Sequence, residues 1–233
     1  MKIVIISTCT AEKQWPDPAV LLTPEDLDSP QARAAAHRRL RPQLLPATEL
    51  YTGLLHRWTT DGVQQLRRAY GEDSVDHWIL SAGYGLLAET EPIAGYNVTF
   101  NTMSARKVEE RSQGMGLAEA VRAATAGATL VVLALSADYL RAVGPVRAEE
   151  GQRIIAFGGK NIQRWTRDPE VLRVPATAAE AGRFRAPVVS LKGRMVQVLA
   201  RALCREGEGG HQALMTATDP EQVLALMDRG GER

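Results

Sequence analysis

The chain has 233 residues, of which 45% are hydrophobic and 24% are charged, and its formal net charge at pH 7 is +1. These values exclude a disordered chain and a uniformly basic protein, so a polyanion site would have to arise from local clustering. The two cysteines, Cys9 and Cys204, are too few for a disulfide framework, and no metal-binding set accompanies them. The first apolar run is too short for a signal peptide or a membrane span, which predicts a cytoplasmic protein with no membrane partner.

In chain order, a β-branched run over residues 2–7 predicts a first, central strand. Prolines among acidic residues between positions 14 and 30 predict a loop or lid, and they are Pro16, Pro18, Pro24 and Pro30. Apolar spacing predicts helices over residues 32–40 and about 50–70. Further elements are predicted as strands over residues 78–80, 128–136, 153–157 and 187–191, a helical region over 103–123 broken near Gly114 and Gly116, a short helix from residue 137, and helices over 192–205 and 220–227.

The alternation of strands and helices is typical of a single layered α/β domain with a mostly parallel central sheet flanked by helices. We assign residues 1–205 to this domain and residues 206–233 to a C-terminal tail with a short helix.

A candidate pocket wall follows the strand at residues 78–80. Gly83 and Gly85 flank Tyr84, so the backbone can turn sharply and approach a ligand closely. Ligands of open α/β sheets bind beyond the carboxyl ends of strands. This rule favours a pocket formed by four side chains, Ser81, Tyr84, Tyr96 and Asn97. The alternative is a tight turn whose tyrosines pack on the core.

The loop after the first strand carries Ser7, Cys9 and Lys13, which suit a loop beside a ligand. It lacks the glycines of a phosphate-binding loop, which excludes a nucleoside triphosphate site of that type. Asp138 follows the strongest predicted strand, where a catalytic carboxylate is expected, although aspartate is also a preferred helix N-cap. The competing carboxylates are Glu12, Asp17, Glu89 and Glu91.

Residues 158–205 hold ten basic side chains and three acidic ones, with Trp165 and Phe184 interleaved. Basic residues mixed with aromatics suit a nucleic acid, through phosphate neutralisation and base stacking. The predicted nucleic-acid contacts are Lys160, Arg164, Arg183, Arg185, Lys192 and Arg194. A basic face that serves a protein partner, or no partner, is the alternative.

Several blocks together resemble a known family. They are Ser7-Thr8-Cys9 with Lys13, Leu50-Tyr51-Thr52-Gly53, the run Leu-Ser-Ala-Gly-Tyr-Gly-Leu-Leu at 80–87, Tyr96-Asn97, and Ser190-Leu191-Lys192-Gly193-Arg194-Met195. Most of residues 1–205 resembles the uncharacterised bacterial family related to the peroxide-stress protein YaaA, some members of which are described as queuine tRNA-ribosyltransferase-like. The resemblance implies a nucleic-acid partner and chemistry at an N-glycosidic bond. Gly95-Tyr96-Asn97 stands where YaaA itself has proline-tyrosine-arginine, so the peroxide role is not carried over.

The leading hypothesis is a DNA N-glycosylase that excises a modified base and leaves an abasic site, in defence against phage. Such a reaction passes through an oxocarbenium-like state and needs a carboxylate, a stacking aromatic and groups that read the base. The predicted catalytic residues are Asp138, Asn97 and Ser81, and the predicted substrate contacts are Ser7, Cys9, Lys13, Tyr51, Gly83, Tyr84 and Tyr96. No metal or cofactor is expected. The alternatives are a non-catalytic DNA-binding stress or defence protein and an N-glycosidase of small nucleotides or nucleosides.

Overall fold

A computed structural model of the chain describes residues 1–15, Asp17 and residues 20–230. Its strands are β1 (Ile3–Thr8), β2 (Leu45–Pro46), β3 (Val75–Ser81), β4 (Gly85–Ala88), β5 (Pro92–Ile93), β6 (Leu130–Ala134), β7 (Arg153–Phe157) and β8 (Val171–Val174). Its helices are α1 (Pro30–Leu40), α2 (Ala47–Leu50), α3 (Leu54–Tyr70), α4 (Ala105–Gly114), α5 (Leu117–Thr125), α6 (Ala137–Val143), α7 (Ala178–Arg183), α8 (Leu191–Glu206), α9 (Glu208–Thr216) and α10 (Pro220–Gly230).

The central sheet has six strands in the order β4-β3-β1-β6-β7-β8. Five of them run parallel, and β4 pairs with β3 in the antiparallel direction. All residues of β1 and β6 are buried, which explains why both strands are continuous apolar runs in the sequence. The predicted α/β class with a mostly parallel sheet flanked by helices is confirmed.

Two apolar layers cover the two faces of the sheet. On one face, Ile3 and Ile5 of β1 pack with α3, α8 and α10. On the other face, Val4 and Ile6 pack with α4, α5 and α6. Alternate residues of β1 belong to the two layers because successive side chains of a strand point to opposite faces.

A third apolar cluster lies beside the β3–β4 hairpin. It contains Trp15, Leu22, Leu27, Tyr51, Tyr84 and Tyr96, together with residues of α1 and α2. The short antiparallel pair of β2 and β5 belongs to the same region. This cluster encloses the tyrosines of the candidate pocket wall.

Three parts of the structure differ from the sequence-based expectation. The strand predicted over residues 187–191 is wrong: the Ser190 N–H donates to the Pro187 carbonyl at 3.0 Å in a turn, and α8 begins at Leu191. Strands β4 and β8 were not predicted, because each has only four residues. In the region predicted as a tail, the short helix expected over residues 220–227 is present as α10, whereas α9 was not predicted, and the two helices bury Leu214 and Met227 in the core.

Within the proline-rich loop, Pro16 and Pro18 lie outside the described residues. Pro24 precedes a single 3-10 turn and Pro30 is the first residue of α1, a position that tolerates proline because its N–H has no helical partner. None of the helices in the described ranges is both long enough and apolar enough to cross a membrane.

Candidate active site

The cleft at the carboxyl edge of the sheet lies between β1 and β6. After β1 the chain reaches β3 through α3 on one face, whereas after β6 it reaches β7 through α6 on the other face. The two connections therefore diverge between neighbouring strands, which creates the kind of crevice where open α/β sheets bind ligands.

This cleft, here called the switch-point cleft, encloses about 420 Å³, within the range of about 300–1,000 Å³ that is typical of ligand pockets. Its polar lining comes from Thr8, Cys9, Thr10, Glu12, Asn101, Ser136, Ser190 and Lys192. Glu12 is its only carboxylate and Lys192 its only amine among the described residues.

The loop after β1 is held in place by backbone contacts that present Glu12. The Glu12 carbonyl accepts hydrogen bonds from the Thr10 hydroxyl at 3.0 Å and from the Thr52 N–H at 3.1 Å. A Cβ atom at Gly53 would lie 2.8 Å from the Thr10 Cβ, so this close approach requires glycine. The exposed Glu12 side chain thereby stands on an anchored turn at the rim of the cleft.

Lys192 lies in the first turn of α8, and its ammonium donates to the Leu135 carbonyl just beyond β6. Burial lowers the pKa of Lys192 to about 8, since a charged amine is disfavoured away from water. No carboxylate forms an ion pair with it in the described part of the chain. A partly buried amine with a lowered pKa and no counter-ion, in a cleft, is a mark of a functional site.

The helices under the cleft approach each other closely. A Cβ atom at Gly193 would lie 2.1 Å from the Leu55 carbonyl oxygen of α3. This contact joins the first turns of α3 and α8 and thereby fixes Lys192 relative to Leu54 and Leu55, which also line the cleft.

Two further polar groups of the cleft bind each other. The Ser136 hydroxyl donates to Asn101 Oδ1 at 3.1 Å, which leaves the Asn101 amide N–H groups available to a ligand. Asn97, one of the three predicted catalytic residues, is exposed and does not line the cleft. Asn101 carried no signal in the sequence because only the fold brings it next to Ser136.

Behind the cleft lies a chain of buried hydroxyl groups. The Gly83 and Tyr84 N–H groups donate to Ser81 Oγ at 3.1 and 3.0 Å, so the Ser81 hydroxyl donates to Tyr96 Oη at 2.6 Å. Tyr96 in turn bonds Tyr51 at 2.6 Å. Burial, with the neighbouring Cys9, raises the pKa of both phenols. These predicted contacts are buried packing groups and do not line the cleft.

Cys9 and Lys13 connect the cleft with this hydroxyl cluster. Cys9 lines the cleft, and its Sγ lies 3.0 Å from Tyr139 Oη. The Lys13 ammonium lies 4.6 Å from the centre of the Tyr96 ring, a cation–π contact. Burial lowers the pKa of Lys13. Of the seven predicted substrate contacts, Cys9 alone lines the cleft.

The Tyr84 side chain is likewise enclosed. Its hydroxyl accepts from the Ala94 N–H at 2.9 Å and lies 2.9 Å from His37 Nε2. A Cβ atom at Gly83 would lie 2.7 Å from the Tyr96 ring, which accounts for the glycine before Tyr84. The alternative of a tight turn with packed tyrosines therefore describes this stretch.

Ser7 belongs to a separate buried network. Because the carboxylate of Glu89 only accepts, His77 Nδ1–H donates to it at 3.0 Å, and His77 Nε2 is hydrogen-bonded to Ser7 Oγ at 3.0 Å. Arg67 pairs with the same carboxylate. Burial alone would raise the pKa of Glu89, but the contacts with His77 and Arg67 lower it. Ser7 is fully buried, so this triad-like order of groups stabilises the sheet and does not face a substrate.

Asp138 is the second residue of α6, two residues after Ser136, which lines the cleft and is the N-cap of this helix. The described residues offer no hydrogen bond or ion pair to the Asp138 carboxylate. The structure does not bring Asp138, Asn97 and Ser81 together around one cavity.

The predicted basic residues divide into two groups. Arg183 forms an ion pair with Asp228, Arg194 bonds the Phe184 carbonyl, and Lys192 lines the switch-point cleft. Lys160, Arg164 and Arg185 are exposed. Arg185 has a backbone φ of 51°, which is uncommon for a residue other than glycine.

A basic groove runs along the open edge of β8. It encloses about 650 Å³, more than the cleft, and carries Lys160, Arg167 and Arg173. An adjoining hollow adds Arg147 and Arg164. Against these five cations stands one acid, Asp168, and none of the five forms an ion pair with another described residue. The groove begins at Lys160 after β7, the strand that neighbours β6 of the cleft.

The described residues hold no group of three or more histidine, cysteine, aspartate or glutamate side chains placed to bind a metal ion.

A family model described as a family of unknown function (DUF6884) matches residues 35–165, more than half of the chain. The chain belongs to DUF6884. No curated protein matches it.

The DUF6884 match contains part of the cleft, including Gly53, Asn101 and Ser136. Glu12 and Lys192 lie outside the matched span. The resemblance to the YaaA-related family stays a prediction, because the DUF6884 match carries no statement about function.

Proposed function

We propose that this DUF6884 protein is a DNA N-glycosylase that acts in the cytoplasm and removes a modified base to leave an abasic site. The observation that carries the proposal is the switch-point cleft, which places the Glu12 carboxylate and the Lys192 amine in one cavity of nucleotide-binding size. The YaaA-like blocks of the sequence support the same chemistry by resemblance.

Glu12 is assigned the role of the catalytic carboxylate. Breaking the bond between a sugar and a base builds positive charge on the sugar. A carboxylate can stabilise this charge, or it can activate the water that attacks C1′. Glu12 takes this role in place of Asp138 because Glu12 lines the cleft and Asp138 does not. The Asn101 amide is assigned to the edge of the base, since an amide offers both donors and an acceptor.

Two exposed valines at the mouth of the cleft support a duplex as substrate. Val188 and Val189 are 59% and 86% exposed, and both line the cleft. A base can be reached only after it leaves the stack, and apolar side chains are the wedges that proteins insert between base steps. The turn at 187–190 thus offers a wedge beside the cavity that would receive the base.

The test is to incubate the purified protein with DNAs that differ only in one base, unmodified or modified, including hypermodified cytosines. Abasic sites are detected by alkaline strand cleavage and the free base by mass spectrometry. Release of one modified base supports the proposal. The proposal is overturned if no base is released from any of the DNAs. Salt-sensitive retention of DNA without release would favour the non-catalytic binding protein, and release from free nucleosides alone would favour the small-nucleoside enzyme.

A further inference from the structure

Lys192 is placed in the cleft in a way that a phosphate-binding lysine is not. A lysine that binds phosphate is usually a solvated, fully charged amine on a flexible stem. The Lys192 amine is partly buried, donates a hydrogen bond to the Leu135 carbonyl and is held in position by the contact of Gly193 with α3. Its pKa of about 8 leaves a substantial neutral fraction near pH 8.

A neutral, fixed amine is a nucleophile towards carbonyl carbon. The hydrogen bond to Leu135 uses one N–H of the amine and leaves its lone pair free. In the same cavity Glu12 supplies a carboxylate that can accept a proton. An amine and a base around one pocket form the pair needed to open an abasic sugar.

We infer that Lys192 forms a covalent imine with the abasic sugar and that the protein has a second activity, cleavage of the DNA strand at abasic sites. The inference rests on the proposed function, because base removal would deliver the abasic sugar to this cavity. It adds a reaction that base release does not require.

The reaction is balanced without a further reagent. The neutral amine adds to the C1′ aldehyde of the ring-opened sugar, and the resulting carbinolamine takes a proton from the solvent and loses its hydroxyl group as water to give a protonated imine. The Glu12 carboxylate takes a proton from C2′, the electrons of that bond form the C2′=C3′ double bond, and the C3′–O bond breaks with its electron pair on the departing 5′-phosphate strand. Water then hydrolyses the imine, which returns the free amine and an unsaturated aldehyde on the upstream strand, and the proton of the imine and the proton on Glu12 pass to the solvent.

The test uses the whole protein and a duplex in which a uracil has been removed enzymatically beforehand, so that it does not depend on base release. Sodium cyanoborohydride is added to reduce the imine to a stable protein–DNA adduct. We expect an adduct with the unaltered protein and a strand break in the absence of the reductant. Peptide mass spectrometry should place the adduct on Lys192 among the five lysines of the chain.

Lys192→Arg keeps the positive charge and should lose both the adduct and the strand break, while Lys107→Arg, an exposed lysine on α4, should keep both. No adduct with the unaltered protein overturns the inference, as does an adduct mapped to another amine. The mapping settles the residue even if a Lys192 variant folds poorly. Base release without any adduct would overturn this inference alone, and an adduct without base release from any DNA would overturn the proposed function alone.

Discussion

At the scale of single residues, His56 links stability to pH. Its Nε2–H donates to the Thr48 carbonyl at 3.0 Å, its ring stacks on His77 with centroids 6.0 Å apart, and its Nδ1 is buried without a partner. Burial, together with the neighbouring His77, lowers the pKa of His56 to about 4. The folded protein therefore holds this imidazole in its neutral form.

The unfolded chain protonates His56 below about pH 6.5, whereas the folded protein resists protonation until about pH 4. The neutral His56 ring therefore makes its full contribution to the free energy of unfolding above about pH 6.5. This contribution is lost as the pH falls towards 4, and the loss reaches up to about 3 kcal/mol. We expect His56→Gln to flatten the fall in unfolding free energy over this window, measured by urea denaturation at pH 7, 6, 5 and 4. His37 and His211, whose pKa values are also lowered by burial, are present in both proteins and contribute equally to the pH dependence of both. Equal slopes of unfolding free energy against pH would therefore contradict the role of His56.

Among the secondary-structure elements, the turn before α8 is expected to determine how well the protein acts on double-stranded DNA. If Val188 and Val189 fill the gap left by an extruded base, they matter only for paired DNA. The double change Val188→Ser and Val189→Ser should lower base release from a duplex by about tenfold or more, since unstacking costs a few kcal/mol. Release from the same base in single-stranded DNA should change little.

The control for the valine pair is Leu21→Ser, which alters an exposed apolar side chain outside the cleft. The readout is the initial rate of abasic-site formation on each DNA. An equal loss on single and double strands would remove the wedge role and leave the valines as part of the pocket wall.

The contact between α3 and α8 positions Lys192 and has its own prediction. Gly193→Ala places a methyl group 2.1 Å from the Leu55 carbonyl oxygen, so the helices must separate at a cost of roughly 1–3 kcal/mol. Gly182→Ala in α7 meets no atom within 4 Å and should be neutral or slightly stabilising. Thermal and urea denaturation compare the two variants, and equal stabilities would contradict the close crossing.

At the scale of the whole molecule, the basic groove along β8 is the surface expected to follow the DNA backbone. The triple change Arg147→Ala, Arg164→Ala and Arg167→Ala should reduce the slope of log K against log salt by about 0.9 for each phosphate that is no longer neutralised. Arg183→Ala should reduce it little, because Arg183 is already paired with Asp228. The two variants are compared by measuring DNA affinity between about 50 and 200 mM salt, a range over which the salt effect is large. An unchanged slope in the triple variant would show that DNA does not bind along this groove.

The sequence predicts those strands and helices that have a clear local pattern of apolar residues. β1 and β6 are buried on both faces and so read as continuous apolar runs. β8 is an edge strand of four residues between Pro169 and Pro175 and gives too short a pattern to detect. The run at 187–191 has the composition of a strand but is exposed at Val188 and Val189 and has no partner in the described sheets.

The site was predicted only in part, for a related reason. The rule that ligands bind at strand ends led to Cys9, and Lys192 was named for its charge; both line the cleft. Ser81 and Tyr96 follow the same rule but turn inwards, because β3 is closed by β4 and by the apolar cluster around Tyr51. Which strand end remains open depends on packing over long sequence distances, and no local pattern records it.

The placement of the reaction is tested by measuring the free base that Glu12→Gln, Asp138→Asn and Glu49→Gln release from the preferred DNA, where Glu49 is a carboxylate outside the cleft. We expect a loss of about 10²-fold or more for Glu12→Gln, with DNA affinity retained and with both other variants close to the unaltered protein. Full activity in Glu12→Gln, or its loss in Asp138→Asn alone, would contradict the placement of the reaction in the switch-point cleft.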